Sequence, residues 1–312
     1  MIITNICDTI ILMKNITNQN NKPLLNHLKV IYSACAWGTM GLFVRFIDLP
    51  TSVIACIRGI IGAIFLYLLS AITTKQFKLD WACIWKNRIS LFISGAALGI
   101  NWILLFEAYR HTSLAIATLF YYLAPIIVMI ASTFIYKEKL TPKKLLCIIL
   151  SLVGMTMISG VLNGNVGNGY GYIGMLLAAL AAVFYATVTV SAKKTEGLPA
   201  MQETILKLLI ASIIVIPYNI VTVDASVLRP SPLMVAMLIL LGITHTGGAF
   251  ATYFSALHHL PNQTVAIMTY LDPVVAVLVS VLLLHENTSI LELIGAVILI
   301  TTLVFYEINN QD

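Results

Sequence analysis

The stretch TYLDPVVAV, residues 269–277, places an aspartate and a proline inside a long run of valine, leucine, isoleucine and alanine. If such a run crosses a membrane, an ionisable side chain within it is costly and marks a substrate or ion path. The proline removes a backbone hydrogen bond and frees a carbonyl beside the acid. We therefore expect Asp272 to lie near the membrane midplane, in the wall of a polar cavity, with Pro273 bending the helix.

His245, in THTGGAF, is the natural partner for this acid, because it also falls near the middle of an apolar segment. Gly242, Gly247 and Gly248 beside it allow another helix or a ligand to approach closely. Burial disfavours the charged form of either side chain, so Asp272 and His245 are candidates for proton coupling as well as for binding. Both residues also have a simpler reading, in which each only bonds to a neighbouring helix.

Further polar and aromatic residues lie at similar depth. Aromatic walls with a few fixed polar groups form small-molecule pockets, and their rings can also hold an ammonium group. The predicted substrate site consists of Trp37, Asn101, Tyr122, Tyr185, His245, Tyr270 and Asp272. Arg58, Tyr121 and Lys207 are additional candidates. Arg58 suits a carboxylate or phosphate, whereas Lys207 has Glu203 one turn earlier, so a surface pair or snorkelling would explain it.

The elements that position these residues must be membrane-spanning helices. The 312-residue chain is 59% hydrophobic and 10% charged, with a mean hydropathy of +0.94. Soluble domains carry about a quarter charged residues, and long continuous apolar runs favour helices over barrel strands. The sequence predicts an all-α membrane protein with ten transmembrane helices, at about 28–49, 51–72, 89–109, 113–136, 143–162, 171–191, 201–222, 233–257, 262–284 and 289–307.

The basic residues predict the orientation of these spans. With both termini in the cytoplasm, most of the eighteen lysines and arginines fall in cytoplasmic segments, as the positive-inside rule requires. Residues 1–27 are then a poorly ordered cytoplasmic tail without a signal peptide, and Met13 is an alternative start. Residues 75–88, KQFKLDWACIWKNR, predict a short amphipathic helix on the cytoplasmic leaflet, with Lys75 to Arg88 near anionic lipid.

The two halves of the chain repeat each other. Residues 104–138 and 252–286 align without a gap, which pairs Tyr122 with Tyr270, Pro125 with Pro273 and Glu138 with Glu286. Five spans per half is an odd number, so the second half must be inverted in the membrane. Residues 28–162 and 171–307 therefore form two five-helix inverted-topology repeats, an arrangement typical of alternating-access transporters.

The chain resembles the drug/metabolite transporter superfamily in its ten-helix EamA-type branch. The resemblance rests on AWG at 36–38, the intramembrane Arg58, LFEAYRHTSLAIATLFYYLAPI at 105–126, FSALHHL at 254–260 and YLDPVVAV at 270–277. It implies secondary-active transport of a small organic metabolite such as an amino acid or amine, in the direction of export, in a bacterial inner (plasma) membrane. Proton coupling and oligomeric state stay open.

Other classes of protein lack their motifs in this sequence. The chain has no Walker A motif, no paired acids or nucleophile–base set that predicts an enzyme, and no cysteine or histidine pattern with metal-ligand spacing. The net charge is +5, but the basic residues lie at helix ends, so the charge does not predict nucleic-acid binding. We expect a small-molecule substrate and no cofactor or metal. The alternative is a passive channel or facilitator, or a membrane scaffold.

Overall fold

The computed structural model describes residues 23–73, 78–163, 171–229, 231–285 and 288–309. The first half contains α1 (Pro23–Val44), α2 (Thr51–Thr73), α3 (Trp81–Lys86), α4 (Arg88–His111), α5 (Leu114–Tyr121), α6 (Ala124–Ile135) and α7 (Pro142–Ile158). The second half contains α8 (Tyr172–Ala192), α9 (Ala200–Thr222), α10 (Pro232–Leu240), a π-helical segment (Leu241–Gly248), α11 (Ala249–Leu257), α12 (Asn262–Met268), α13 (Leu271–Leu282) and α14 (Ile290–Asn309). In these ranges every regular element is helical.

Eight segments of the described chain are long and apolar enough to cross a membrane. They are α2, α4, α5 with α6, α8, α9, α10 through α11, α12 with α13, and α14. The predicted first and fifth spans correspond to α1, with 22 residues, and α7, with 17 residues, which pack in the same bundle but fall outside this set. The prediction of ten spans therefore stays a prediction.

Some parts of the predicted organisation lie outside the described residues. These are residues 1–22 of the predicted tail, Lys75 and Phe77 of the amphipathic segment, and Glu286 of the repeat. Residues 23–27, which the sequence assigned to the tail, form the start of α1 instead. The amphipathic segment is represented by α3, where Trp81 and Trp85 are each 70% exposed.

Two long segments are interrupted at equivalent prolines. The helix α5 ends at Tyr121 and α6 begins at Ala124, while α12 ends at Met268 and α13 begins at Leu271. Proline lacks the N–H that would continue the hydrogen-bond ladder, so each segment divides into two half-helices near Pro125 and Pro273. Each half of the chain therefore has an interrupted helix beside the proline at which we predicted a bend.

The segment that carries His245 is a π-helix rather than the regular helix that we predicted. Close packing against α2 accompanies this geometry: a Cβ added to Gly62 would lie 2.9 Å from both the carbonyl oxygen of Gly242 and the nitrogen of Gly247. Wider helical turns of this kind are rare and often occur at functional positions. The glycines thus allow α2 and the π-helical segment to cross at short distance, as their spacing predicted.

Polar residues fix several helix starts. Thr141 accepts a hydrogen bond from the Lys144 amide and so caps the start of α7. Glu138 accepts hydrogen bonds from the backbone amides of Asn262 and Gln263, at 2.9 and 3.1 Å. This carboxylate satisfies two buried N–H donors that have no partner within α12, so Glu138 has a structural role.

Helix contacts follow the same pattern when the two halves are exchanged. The helix α4 of the first half packs against α8 and α9 of the second half. In the corresponding way, α11 and the π-helical segment of the second half pack against α1 of the first, and the π-helical segment also packs against α2. The pairs α2 with α9 and α7 with α14 each join equivalent helices of the two halves, and α6 contacts α12, so the two interrupted segments also meet. The paired interrupted segments and the central cavity lie within this arrangement.

Candidate functional site

A cavity of about 400 Å³ lies between the two halves of the bundle. Its lining includes Gly41, Thr51 and Leu114, which are exposed and lie where α1 ends, α2 begins and α5 begins. The cavity therefore reaches the surface at this end of the bundle. Its volume is within the range of small-molecule binding sites, roughly 300–1,000 Å³.

Seven of the ten predicted site residues line this one cavity. They come from α1, α2, α4, α8 and the two interrupted segments, so residues distant in sequence meet here. The seven are Trp37, Arg58, Asn101, Tyr121, Tyr122, Tyr185 and Asp272. Tyr270, His245 and Lys207 are not among the lining residues.

Asp272 lies in the first turn of α13, near the middle of the segment Asn262–Leu282. Its Oδ2 accepts a hydrogen bond of 2.9 Å from the Tyr122 hydroxyl. The start of a helix favours a negative charge, because its backbone N–H groups are not used within the helix. No other side chain in the described ranges donates to this carboxylate, so it can also receive a cationic group from the cavity.

Tyr270 supports the site from behind. Its hydroxyl donates to the backbone carbonyl of Tyr122 at 3.1 Å, and the two rings stack with their centroids 6.2 Å apart. The side chain of Tyr122 in turn reaches Asp272. The two helix interruptions are thereby joined by hydrogen bonds in both directions, and Tyr270 positions Tyr122.

One wall of the cavity is aromatic. The ring of Tyr121 meets that of Tyr185 edge to face at a centroid distance of 6.0 Å. Asn101 lies beside them, and its amide donates to the carbonyl of Ala181 at 2.7 Å. That bond fixes the Asn101 side chain between α4 and α8. The polar group that Asn101 presents to the cavity is therefore fixed as well.

Aromatic side chains also close the end of the cavity opposite to its opening. Trp37 packs against Phe250 and Tyr253 with centroid distances of 5.2 Å each. Phe254 continues this layer, at 5.8 Å from Phe250 and 5.7 Å from Tyr253. We call Trp37, Phe250, Tyr253 and Phe254 the aromatic layer. It separates the cavity from the end of the bundle at which α9 begins and α11 ends.

Both ring nitrogens of His245 form hydrogen bonds with threonine hydroxyls. Its Nε2 is 3.1 Å from the Thr39 hydroxyl, and its Nδ1 is 2.5 Å from that of Thr244. Phe43 meets the ring edge to face at 4.9 Å. The structure therefore places His245 in the packing between α1 and the π-helical segment, and it does not bring this residue together with Asp272.

Lys207 is fully buried, which corrects the interpretation as a surface pair. It forms an ion pair with Glu203, whose side chain is equally buried. Glu203 also contacts His258 Nε2 at 2.6 Å, and the Lys207 ammonium lies 4.0 Å from the centroid of the Phe254 ring. Phe254 of α11 and His258, which directly follows α11, contact this ion pair. The pair therefore joins α9 to α11.

Several lining residues were not among the sequence candidates. Leu98, Leu105, Phe106 and Tyr109 line the cavity from α4, on the same face as Asn101. Their spacing of three and four residues is that of one helix face. The same helical periodicity, applied from Asn101, would have predicted these residues as part of the cavity lining.

Comparisons with known proteins agree with this architecture. A family model described as the EamA-like transporter family matches residues 25–160 and again residues 172–307. YxxF of Bacillus subtilis, described as an uncharacterized transporter, is 27% identical over 286 residues, covering 91% of this chain and 90% of that protein. Protein PecM of Dickeya dadantii is 24% identical over 288 residues, covering 88% and 90%.

A solved crystal structure is similar in fold, with a TM-score of 0.78 at 19% identity, covering 90% of this chain and 96% of that one. The two family matches confirm the resemblance that the sequence motifs indicated. Together with the eight apolar segments, they make this chain an integral membrane protein and a transporter. The chain belongs to the EamA-like transporter family, with two copies of the family domain.

Proposed function

We propose that this protein is a secondary-active transporter that exports a small organic metabolite carrying an amine, such as an amino acid or an amine itself. The observation that carries this proposal is the carboxylate of Asp272, which lies midway along an apolar segment in the wall of a cavity. A charge at that depth is costly unless it serves a path or a partner. Its bond to Tyr122 leaves it accessible to a cationic ligand.

The cavity walls suit such a ligand. Trp37, Tyr122 and Tyr185 present aromatic rings, and Asn101 adds a fixed amide. An ammonium group is attracted electrostatically both by the carboxylate and by the faces of nearby rings. Tyr270 acts by holding Tyr122. Proton coupling through Asp272 is part of the proposal, while a contribution of His245 stays a prediction.

Alternating access between two inverted repeats is the proposed mechanism. Three observations support it: the exchange symmetry of the helix contacts, the equivalent interruptions near Pro125 and Pro273, and the backbone of Lys137 and His285. These last two residues follow the interrupted segments at equivalent repeat positions and have φ values of 56° and 51°. With α1 and α7 counted as spans, each repeat has five, so the halves face opposite ways.

The orientation follows from the lysines and arginines of the sequence. With both termini in the cytoplasm, the open end of the cavity faces outward and the aromatic layer closes the inward path. We place the protein in a bacterial plasma membrane, and export is proposed from the family resemblance. The exposed Trp81 and Trp85 of α3 would lie in the cytoplasmic leaflet, where nearby basic residues attract anionic lipid.

Solute counterflow in proteoliposomes tests this proposal. A panel of labelled amino acids and amines is screened with the wild type, with Asp272→Asn and with Asp48→Asn, an exposed loop aspartate that serves as the control. We expect saturable exchange by the wild type and D48N and its loss in D272N. Full exchange by D272N at every pH would overturn the role of Asp272. Flux without saturable exchange would favour a channel.

A further inference from the structure

Arg58 is a buried cation in the wall of the same cavity. It lies on α2 with 9% of its surface exposed, and it lines the space that Asp272 lines from α13. A buried guanidinium normally requires a carboxylate, a phosphate or several oxygen acceptors. Its surroundings therefore show whether the fold itself uses this charge.

The contacts of Arg58 leave its charge without a counterion. The guanidinium carbon lies 5.4 Å from the centroid of the Trp102 ring, and Nη1 contacts the sulfur of Met40. The Nε group is buried and has no hydrogen-bond partner. No carboxylate within the described ranges forms an ion pair with this residue, and Glu107 pairs instead with Arg110 at 2.9 Å.

The other buried cations of the described chain are treated differently. Lys207 forms an ion pair with Glu203, and Lys29 donates to Asn26 at 3.1 Å and to Ser255 at 2.9 Å. Both ammonium groups thus have oxygen partners supplied by the fold. Arg58 instead contacts a sulfur and a ring, which orient the guanidinium plane but do not neutralise it.

Resting on the proposed function, we propose that Arg58 is the subsite for an oxyanion of the transported molecule. The planar guanidinium can receive a carboxylate or phosphate through two parallel hydrogen bonds. Asp272 receives the ammonium group elsewhere in the same cavity, and no ion pair joins the two residues. The substrate is therefore a zwitterionic metabolite, held at both charged ends across an aromatic cavity.

Thermal unfolding of the purified full-length protein in detergent tests the subsite without knowledge of the substrate. The variants are Arg58→Met, which removes the charge, Arg58→Lys, which keeps the charge without the fork, and Lys207→Met as the comparison. We expect the melting temperature of R58M to equal or exceed that of the wild type, while that of K207M falls. A fall in R58M as large as in K207M would show a structural arginine and overturn the proposal.

Ligand titration supplies the second readout. Sodium 3-phenylpropionate and sodium phenylphosphonate are compared with sodium chloride at equal ionic strength, which separates a carboxylate from a phosphate-like group. We expect at least one of the two to raise the wild-type melting temperature. The same anion should bind R58M at least about tenfold more weakly, as expected when a hydrogen bond to a charged group is lost. Equal shifts in both proteins, or no shift in the wild type, would contradict the assignment.

Counterflow separates this inference from the proposed function. L-phenylalanine and phenethylamine differ by the carboxylate alone, so R58M should lose exchange of the amino acid by a larger factor than exchange of the amine. D272N should impair both solutes. If R58M impairs both equally, the oxyanion subsite is refuted, while the transport function and the role of Asp272 remain.

Discussion

Asp272 combines three features at one residue: a charge, a position at the start of a half-helix, and a single hydroxyl partner in Tyr122. The hydroxyl orients the carboxylate while leaving capacity for a ligand. The carbonyl of Tyr122 is held in turn by Tyr270. Two tyrosines at equivalent repeat positions therefore have different tasks, one facing the acid and one fixing its partner.

Replacement of Tyr122 by phenylalanine tests this division at the residue scale. The change removes the donor to Asp272, and a hydrogen bond to a charged group contributes about 1.5–3 kcal/mol. We expect the rate of solute counterflow by Y122F to fall about tenfold or more. Tyr121→Phe is the matched control, because its hydroxyl lies 3.5 Å from the neutral amide of Asn101 and forms no hydrogen bond to Asp272. Equal losses in both variants would argue against a specific role for Tyr122.

The position of Asp272 and the bend at Pro273 could be predicted from sequence, because a proline within an apolar run has a local effect. The pairing of Asp272 with Tyr122 could not, since it depends on how two distant segments cross. The same limit applies to Lys207: its neighbour Glu203 was visible in the sequence, but His258, which completes the buried cluster, belongs to another helix. His245 shows the converse, because its threonine partners remove it from the cavity that the sequence predicted for it.

At the scale of elements, the buried cluster of Glu203, Lys207 and His258 joins α9 to α11 beneath the aromatic layer. The Glu203 and Lys207 side chains have no exposed surface, so each of these two charges is stabilised by the other rather than by water. Removal of one partner leaves the rest buried without compensation, which typically costs about 3–5 kcal/mol. The cluster therefore makes the end of the bundle at which α9 begins and α11 ends sensitive to single substitutions.

A double-mutant cycle on Glu203→Gln and Lys207→Met measures this coupling. We expect each single variant to lower the free energy of unfolding by a few kcal/mol, and the double variant to lose clearly less than the sum of the two. Reversible unfolding in mixed micelles followed by tryptophan fluorescence gives the values. Strictly additive losses would mean that the two side chains do not act as a pair.

The loop after α6 allows a second test at this scale. Lys137 has a φ of 56°, a left-handed conformation that costs a residue with a Cβ roughly 1–2 kcal/mol and that glycine adopts freely. We expect Lys137→Gly to raise the free energy of unfolding by about 1 kcal/mol, because the strain relieved exceeds the added chain entropy.

Lys139→Gly is the control for this loop, since Lys139 is not among the residues with positive φ. It removes a charge of the same sign from the same loop and should lower stability slightly. The interpretation fails if both glycine variants lower the unfolding free energy to the same extent.

The close approach of α1 and α13 beside the acid gives a third test. A Cβ added to Gly38 would lie 2.5 Å from the carbonyl oxygen of Asp272 and 2.8 Å from the Cβ of Val275. We expect Gly38→Ala to push the two helices apart and to lower counterflow strongly, while Gly41→Ala, where nothing lies within 4 Å, leaves it unchanged. Normal transport by G38A would show that this packing does not shape the site.

At the scale of the whole molecule, the pattern of helix contacts is similar when the halves are exchanged, but the side chains differ. Only one half carries Asp272, because its repeat partner is Ala124, and the cavity is open at one end and closed by the aromatic layer at the other. The repeat and the family could be read from sequence. The π-helical segment could not, because LGITHTGG has an apolar and glycine content that also suits a regular helix.

The proposed mechanism requires that one cavity open alternately to both faces of the membrane, and thiol labelling tests this requirement most directly. Leu105, which lines the cavity from α4, is replaced by cysteine in a variant without the native cysteines. The control is Ile149→Cys, on the exposed apolar face of α7. An impermeant maleimide is applied to right-side-out and to inverted vesicles. The account predicts labelling of L105C from both faces, with loss of counterflow after either, and no labelling of I149C; labelling of L105C from one face alone would contradict it.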